Sequence, residues 1–326
     1  MKKNILLIAP STYGFYNHII YSISNFGNQV TFFDEHAINK RSILAKLFYK
    51  LSSRIIISIH TLYIKSIINN TQLNYDIVIV IRGEYLNSRA IESLKIAFKD
   101  AVFIMYQWDF EKNLPLLKSQ VSYFDAVYSF DKHDSNKFGF VHKSLFFNTL
   151  HESFSRTRKK YLFNFVGTDH SDRNKVIKDF IEANDVSIDQ FFLHLFRPKK
   201  SILLNALKNP KFLFNRDLSL YKHFPLDEES TIKSMAESEI IVDITQPEQT
   251  GLTMRTLEAL GLKRKLVTTN KDVVNYDFYH PNNIFLIDRN SLKVPKSFID
   301  SEYVELHESI YNKYHVDNWV KELIVI

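Results

Sequence analysis

A loop and the helix predicted to follow it, in the second half of the chain, carry residues that could hold a nucleotide. The loop ends at Gly251, and Thr253 and Arg255 lie in the first turn of a helix predicted to end near Gly261. Free backbone N–H groups and the dipole at a helix start favour an anion, and the Arg255 guanidinium adds a charged fork. Glu258 lies about one and a half turns into this helix, where its carboxylate could accept hydrogen bonds from ribose hydroxyls. The local chemistry therefore suggests a sugar nucleotide.

The same residues resemble the donor-site signature of the GT-B glycosyltransferases. The resemblance is carried by Gly251, by Glu258 with Ala259, by Gly261, and by the run 265–270. In that family a glycine loop and a helix start hold the diphosphate of the donor, and a glutamate further along holds the ribose. The resemblance therefore implies a GT-B fold and a glycosyl transfer reaction.

The residues next to the glycine bear on how far the resemblance extends. Thr250 and Leu252 flank Gly251 and belong to the same predicted nucleotide-sugar site. The commonest form of the signature has an acidic residue where Thr250 stands, so no catalytic role is transferred to this position. The nucleotide-holding role of Gly251, Thr253 and Glu258 does not depend on it. The alternative interpretation is an ordinary surface helix packed on an α/β sheet.

The composition restricts the class of protein. A length of 326 residues predicts two domains, and 45% hydrophobic with 24% charged residues is ordinary for a globular chain. The chain has no cysteine, which excludes disulfides and cysteine-based metal sites or nucleophiles. The net charge of +6 permits an anionic partner, but no nucleic-acid module is evident. The short apolar run after Lys3 is interpreted as a buried strand rather than a signal peptide, which predicts a cytoplasmic protein.

Strands and helices alternate along the chain, which predicts an α/β protein with two Rossmann-like, doubly wound domains facing a cleft. We expect an acceptor-side domain over residues 1–150 and a nucleotide-sugar domain over 151–304, with 149–160 as the linker. GT-B enzymes commonly send a terminal helix back to the first domain. The resemblance therefore implies the same crossing for residues 305–326.

In the first domain, one β-α turn and two strand ends supply candidate residues. The turn from Ser11 to Gly14 follows the first strand, and the resemblance implies that it faces the acceptor. His18, on the next helix, is a candidate base, although a lone helix histidine is more often structural. Glu84 and Asp109 follow two successive buried strands, at the edge where a carboxylate could deprotonate an acceptor hydroxyl. The alternative is that Arg82 pairs with Glu84 or Asp109 and holds the loops together.

The segment 40–68 is both basic and amphipathic. Apolar residues recur at steps of three and four between these basic residues: Lys40, Arg41, Lys46, Lys50, Arg54 and Lys65. Such a segment could rest on an anionic membrane, where each basic residue contributes up to about 1 kcal/mol. The alternative is a core helix with solvated basic side chains. No apolar run approaches the roughly 20 residues that span a bilayer.

In the second domain, two further strand ends supply candidates. The Gly167 turn repeats the plan of the first domain, and the resemblance implies that it lines the donor cleft. Arg173 either meets the phosphates or faces solvent. Arg197 and Lys199 resemble the positions that neutralise the leaving diphosphate in many GT-B enzymes. The alternative for these two is a solvated turn.

Together these features predict transfer of a sugar from a nucleotide diphosphate sugar to a hydroxyl of a bacterial surface glycan or lipid-linked acceptor. The resemblance is strongest to enzymes of capsule and lipopolysaccharide assembly, including the CgeB-like group, which would work at the inner face of the plasma membrane. An inverting enzyme would use Asp109, Glu84 or His18 as the base. No Asp-x-Asp motif stands beside a strand, so we expect no essential metal ion or other cofactor. The alternatives are a sugar-nucleotide epimerase of the same architecture and a noncatalytic scaffold of a polysaccharide assembly complex.

Overall fold

The structure is a computed structural model that describes residues 2–11, 14–37, 53–71, 74–214, 216–247 and 249–325. The chain divides into two compact units. Unit 1 comprises Met1–Ser144 with Val316–Ile326, and unit 2 comprises Leu145–His315. Each unit contains a six-stranded sheet, and all the strand pairings described are parallel. This confirms the prediction of two Rossmann-like, doubly wound domains.

Short apolar runs form the strands of unit 1. In β3 all five residues are buried, as expected for the centre of a parallel sheet with helices on both faces. The sheet order is β2-β1-β3-β4-β5-β6. The strands are β1 (Asn4–Ala9), β2 (Gln29–Asp34), β3 (Ile77–Ile81), β4 (Val102–Gln107), β5 (Ala126–Ser129) and β6 (Val141–His142).

The sheet of unit 2 follows the same plan, with the order β12-β11-β10-β7-β8-β9. Its core is rich in aromatic residues, including Phe163, Phe180 and Phe191, which pack edge to face. The strands are β7 (Tyr161–Thr168), β8 (Phe191–Phe196), β9 (Tyr221–Lys222), β10 (Ser238–Asp243), β11 (Lys265–Thr268) and β12 (Ile284–Leu286).

The helices cover the faces of the two sheets. They are α1 (Phe15–Asn25), α2 (Ser53–Asn70), α3 (Ser88–Ala97), α4 (Leu117–Gln120), α5 (Lys132–Phe138), α6 (Thr149–Phe154), α7 (Arg173–Asn184), α8 (Lys199–Lys208), α9 (Lys211–Phe214), α10 (Glu228–Ala236), α11 (Met254–Gly261), α12 (Lys296–Asp300), α13 (Glu308–Lys313) and α14 (Val316–Ile324). Single turns of 3₁₀ helix occur at Glu111–Asn113, Val121–Tyr123, Ile188–Gln190, Leu218–Leu220 and Lys271–Asn275.

The apolar runs 144–147 and 212–214 each predict a short strand from their β propensity, and both predictions were wrong. Residues 144–147 do not form a strand of the sheet, because β6 is its last strand and Phe147 makes only an isolated bridge to His315. Residues 212–214 belong to the helix α9. Pro210 stands directly before this helix, where its fixed φ favours a helical start, and this local signal outweighs the β propensity of the phenylalanines.

Part of the basic amphipathic segment 40–68, residues 40–52, lies outside the described residues. The remainder is in α2, where Ile64 and Ile67 pack into the core of unit 1. Leu62, on the same helix, is 67% exposed. One face of α2 therefore belongs to the core of this unit. Within the described ranges, we find no helix long and apolar enough to span a bilayer.

The last helix, α14, packs on unit 1. Trp319 is 2% exposed, stacks edge-on against Tyr106 at 4.7 Å, and donates its indole N–H to the backbone oxygen of Ser144 at 3.0 Å. At the end of the helix, the backbone oxygen of Ile324 accepts a hydrogen bond from Lys3 Nζ at 2.7 Å. The core of unit 1 is therefore built from both ends of the chain.

Gly261 closes α11 against a buried ring, and this contact gives a first prediction. A Cβ added at Gly261 would lie 2.6 Å from Cγ of Phe147, a side chain with no exposed surface. The ring has no room to retreat, so we expect Gly261→Ala to destabilise unit 2 by about 1–3 kcal/mol. Chemical denaturation would measure this loss. Adding Phe147→Ala would remove Cγ and Cδ2, the two nearest atoms, so the double variant should be less destabilised than the sum of the single variants. Additive losses would contradict the clash.

Candidate functional site

The strand order of unit 2 changes direction between β7 and β10, and most of the predicted donor residues lie there. From β7 the chain proceeds to β8 and β9 on one side, and then to β10, β11 and β12 on the other. Open parallel sheets bind ligands outside the carboxyl ends of the strands at such a point. Gly167 lies near the end of β7, and Ile244 directly follows β10. The topology and the sequence motif therefore indicate the same edge.

Arg173 joins the ends of these two strands. It is the first residue of α7, and its guanidinium donates to the backbone oxygens of Thr168 (2.7 Å, from Nη1) and Ile244 (3.1 Å, from Nε). Burial lowers the pKa of Arg173 below its ordinary value, and the nearby carboxylate of Asp243 opposes this shift. Arg173 thus places a positive charge at the switch point and ties both strands there.

Asp243, the last residue of β10, fixes the start of α11. Its buried carboxylate accepts hydrogen bonds from the hydroxyls of Thr253 (2.8 Å), Thr256 (3.2 Å) and Thr268 (3.3 Å). Thr253 is also the N-cap, and its hydroxyl accepts the amide of Thr256 at 3.3 Å. Burial raises the pKa of Asp243, and the Thr253 hydroxyl and Arg173 oppose this rise. The helix start is thereby held rigidly at the edge of the sheet.

Arg255 and Glu258 form an ion pair on the first turns of α11. Arg255 Nη1 lies 2.6 Å from Glu258 Oε2, and Arg255 Nη2 donates to the backbone oxygen of Val166 in β7 at 3.1 Å. The two side chains are 18% and 10% exposed. Each therefore presents only an edge to solvent, and their positions are set by the helix and the neighbouring strand.

His151 faces the other oxygen of this carboxylate. It lies in α6, its side chain is 2% exposed, and its Nε2 is 3.9 Å from Glu258 Oε1. Burial lowers the pKa of His151, and the negative charge of Glu258 opposes this shift. The sequence did not indicate His151, because residues 149–160 were interpreted as a linker. The signal that could have found it is Asn148, a good helix N-cap three residues before the histidine.

The glycine loop between β10 and α11 is fixed by two amide side chains. Asn270 Nδ2 donates to the backbone oxygens of Gly251 (3.0 Å) and Thr250 (3.3 Å), and Gln249 Nε2 also donates to Gly251 at 2.9 Å. Gly251 and Leu252 are buried, whereas Thr250 is exposed. The loop is therefore preorganised, and Thr250 is the residue of this group that meets solvent.

A cavity of about 450 Å³ opens beside this loop, at the carboxyl ends of β10, β11 and β12. This volume lies within the usual range for small-molecule pockets. Its wall combines hydroxyl, amide and charged side chains, among them Thr245, Gln249, Thr250, Asn270 and Arg289. Such a lining suits a polar ligand with several hydrogen-bonding groups.

Arg197 belongs to a second polar cluster at the same edge of unit 2. The Asp169 side chain is fully buried, forms an ion pair with Arg197, and accepts hydrogen bonds from Arg216 Nη1 (2.9 Å) and the Tyr221 hydroxyl (2.8 Å). Burial and the bond to Asp169 raise the pKa of Tyr221 to about 12. Two guanidinium groups thus share one carboxylate, so this part of the described structure keeps positive charge. Lys199, the first residue of α8, is exposed.

In unit 1, the predicted turn and base lie at the start of α1. Gly14 is the N-cap and has a φ of 77°, a left-handed conformation that glycine adopts without strain. Residues 12 and 13 of this turn lie outside the described residues. His18 is half-buried one turn into the helix. The structure therefore places both residues beside the carboxyl end of β1.

The turns after β3 and β4 bring Arg82, Glu84 and Asp109 together. Arg82 Nη2 donates to Glu84 Oε2, and Arg82 Nε lies 3.9 Å from Asp109 Oδ2. Arg82 has a φ of 70°, which is uncommon for a residue other than glycine, and its amide is held by the backbone oxygen of Tyr106 at 2.9 Å. The ion pair offered as the alternative interpretation is thus present, and the carboxylate of Asp109 remains 30% exposed.

Glu35 and His36, which directly follow β2, join this cluster. Glu35 Oε1 lies 3.4 Å from His36 Nε2 and 3.5 Å from Arg82 Nη1, and Glu35 Oε2 accepts the amide of Glu84 at 3.2 Å. Burial raises the pKa of Glu35, and His36 and Arg82 oppose this rise. The sequence analysis missed both residues because it considered only the residues that follow β3 and β4. Since parallel strands end at a common edge of the sheet, the residues after β2 were candidates on the same grounds.

Comparison with known proteins identifies the fold. No model of a known protein family matches the chain, and no curated protein matches its sequence. Among solved structures, a glycosyltransferase from Rickettsia africae ESF-5 is similar, with a TM-score of 0.60 and 12% identity over 98% of this chain and 96% of that one. Anabaena Alr3699/HepE in complex with UDP and glucose has a TM-score of 0.57 and 12% identity over 98% of both chains.

A third similar structure is a domain of a protein named for a different reaction. The N-terminal domain of Candida albicans trehalose-6-phosphate phosphatase has a TM-score of 0.55 and 10% identity over 99% of this chain and 96% of that one. At such identities the likeness establishes the fold and leaves the reaction to be argued from the site. The predicted GT-B fold is therefore confirmed.

Proposed function

We propose that this chain, whose fold is that of the GT-B glycosyltransferases, transfers a sugar from a nucleoside diphosphate sugar to a hydroxyl of a surface glycan or lipid-linked acceptor. The observation that carries the proposal is the preorganised start of α11 at the switch point of unit 2. Gly251 lies in the loop before this helix, and Arg255 pairs with Glu258 on the first turns of the helix, an arrangement that would suit a phosphate and a ribose together. The Anabaena protein of the same fold binds UDP-glucose, which supports a donor of this class.

The donor roles follow from the charges and the backbone. The first amides of α11 and the guanidinium of Arg255 would hold the diphosphate, with Arg173 adding positive charge behind them. The carboxylate of Glu258 would accept hydrogen bonds from the ribose hydroxyls. The cluster of Arg197 and Arg216, with the exposed Lys199, would stabilise charge on the leaving diphosphate.

The acceptor chemistry belongs to unit 1. When the bond between the anomeric carbon and the phosphate oxygen breaks, its electron pair leaves with the nucleoside diphosphate. The acceptor oxygen forms the new glycosidic bond, and its proton passes to a base. Among Asp109, Glu84 and His18 we favour Asp109. Glu84 is committed to Arg82, whereas Asp109 is anchored through Oδ1 by Asn113 Nδ2 at 2.7 Å and keeps a partly exposed carboxylate.

We expect no essential metal ion or other cofactor, because guanidinium groups and a helix start serve the phosphates in this arrangement. The test is thermal unfolding with UDP-, GDP-, ADP-, CMP- and TDP-linked nucleotides, each in buffer containing either EDTA or Mg²⁺. A ligand at a hundred times its Kd adds about 2.7 kcal/mol, or roughly 5–10 °C for a domain of this size. One nucleotide class should stabilise the protein equally in both buffers. Stabilisation that needs Mg²⁺ would contradict the metal-free mechanism.

The same experiment separates the rival functions. A noncatalytic scaffold would show no stabilisation by any nucleotide, which would overturn the proposal. A sugar-nucleotide epimerase would bind a nucleotide and then convert its sugar without an acceptor, so product analysis in the absence of acceptor distinguishes it. The predicted contact of segment 40–68 with an anionic membrane stays a proposal, and sedimentation with anionic and neutral vesicles would test it.

A further inference from the structure

His151 is a buried histidine to which the proposed reaction assigns no role. Its side chain is 2% exposed, and no described residue hydrogen-bonds its Nε2. The carboxylate oxygen Oε1 of Glu258 lies 3.9 Å from that nitrogen. A buried polar atom without a hydrogen-bond partner costs free energy, so the position of His151 Nε2 beside Glu258 needs a physical explanation.

The other ring nitrogen shows where the proton lies. In the capping box of α6, the amide of Asn148 donates to His151 Nδ1 at 3.2 Å, so the neutral ring that accepts this bond carries its proton on Nε2. His151 Nδ1 is also 2.9 Å from Asn148 Oδ1 and 3.2 Å from the backbone oxygen of Asn148, contacts that suit either form of the ring with a proton on Nδ1; of these two, the doubly protonated ring also has a proton on Nε2. The remaining tautomer would point a nitrogen lone pair at a carboxylate, which is unfavourable. An N–H group therefore faces Glu258.

The carboxylate of Glu258 thus has a neighbour on two sides, an ion-pair partner in Arg255 and an N–H group of His151 that lies beyond hydrogen-bond distance. Arg255 approaches Oε2 from the same helix, and His151 faces Oε1 from α6. Glu228, on α10, adds negative charge near the ring and accepts a hydrogen bond from Asn148 Nδ2 at 3.3 Å. Asn148 therefore holds the ring and Arg255 pairs with the carboxylate, while the ring and the carboxylate face each other across 3.9 Å.

We propose that His151 is a positioning residue that orients Glu258 for the two ribose hydroxyls of the donor. This inference rests on the proposed function. Because Nε2 is buried, His151 acts through Glu258 and does not touch the nucleotide. The contribution of His151 should therefore appear only where the ligand carries ribose hydroxyls, and only while residue 258 is a glutamate.

Two amide variants give a matched test. The amide group of asparagine reaches about as far as Nδ1 of histidine, and its Oδ1 can accept the amide of Asn148, so His151→Asn keeps this contact and removes the group facing Glu258. The amide of glutamine reaches about as far as Nε2, so His151→Gln restores an N–H there. The measurement is the Kd of the tightest binder among UDP, GDP, ADP and CDP, and of its 2′,3′-dideoxy analogue. Their ratio is independent of the folded fraction of each variant.

We expect the wild-type protein to prefer the ribonucleotide by about tenfold or more, as for hydrogen bonds to a charged group. His151→Asn should reduce this preference by about threefold or more, and His151→Gln should retain it within about twofold. Introducing His151→Asn into Glu258→Gln should produce no further change. The positioning role would be overturned if His151→Asn left the preference for the ribonucleotide unchanged. It would also be overturned if His151→Asn reduced that preference as much in the Glu258→Gln protein as in the wild-type protein. Neither result would contradict the nucleotide site itself. If the wild-type protein and Glu258→Gln showed the same preference for the ribonucleotide, both the positioning role of His151 and the proposed ribose role of Glu258 would be overturned.

Discussion

Replacing Glu258 by glutamine is expected to weaken nucleotide binding by roughly 10- to 100-fold. The ionised carboxylate accepts hydrogen bonds only, and each bond from a ribose hydroxyl to a charged group contributes about 1.5–3 kcal/mol. Glutamine has the same shape but supplies one acceptor oxygen and an amide, so one hydroxyl would face a donor. Glutamine keeps the shape of the side chain but loses the ion pair with Arg255, so chemical denaturation should accompany the binding measurement to separate the loss of affinity from a loss of stability.

Isothermal titration with the nucleotide identified by thermal unfolding would measure this effect. Glu305→Gln is the matched control, because Glu305 is also in unit 2 but is 65% exposed and pairs with Lys263 Nζ at 2.6 Å on the surface. That variant should bind like the wild-type protein. If Glu258→Gln also bound like the wild type, the ribose role of Glu258 would be wrong.

Replacing Asp243 by alanine is expected to have the largest effect on stability, about 3 kcal/mol or more. The substitution leaves the hydroxyls of Thr253, Thr256 and Thr268 without their shared acceptor, and each unsatisfied buried group costs about 1–3 kcal/mol. Chemical denaturation would measure the loss. Thr268→Val removes one of the three bonds and keeps the side-chain shape, so about 1 kcal/mol is expected. An equal loss in the two variants would show that the carboxylate does not organise the cluster.

Asp243 also gives a pH dependence of definite sign. Burial raises its pKa in the folded protein above the ordinary value of 3.8. At a pH between the ordinary pKa and the raised pKa of the folded protein, Asp243 keeps a proton in the folded state that it has lost in the unfolded state. The contribution of this group to stability is therefore present at low pH and falls as the pH rises through that interval. In Asp243→Asn, which does not titrate, this component of the pH dependence should disappear.

The sequence predicted the architecture because local signals and the global fold agree. The β-branched run of β3 and the Thr253 cap of α11 each favour the element that forms. The candidate residues Gly251, Arg255 and Glu258 lie near one another in the chain because a short motif places them within one loop and helix. A motif of this kind carries its own geometry, so few long-range contacts had to be foreseen.

The contacts between separate segments could not be predicted. His151 and Glu258 are more than a hundred positions apart, and Glu35, after β2, reaches Arg82, after β3, although β1 lies between these two strands. Such pairs depend on side-chain packing after the sheet has formed, which no local propensity encodes. The ion pair between Arg197 and Asp169 could not be predicted for the same reason, because the two residues follow different strands.

The place of α14 determines how the chain can fold and be divided. Unit 2 is one continuous segment, whereas unit 1 lacks Trp319 and its neighbours until the final residues have been synthesised. On a ribosome, unit 2 can therefore complete its core before unit 1 does, although unit 1 emerges first. For the same reason, a fragment of residues 1–144 should expose the surface that Trp319 covers and aggregate. Joining residues 316–326 to it by a short linker should restore a cooperative unfolding transition.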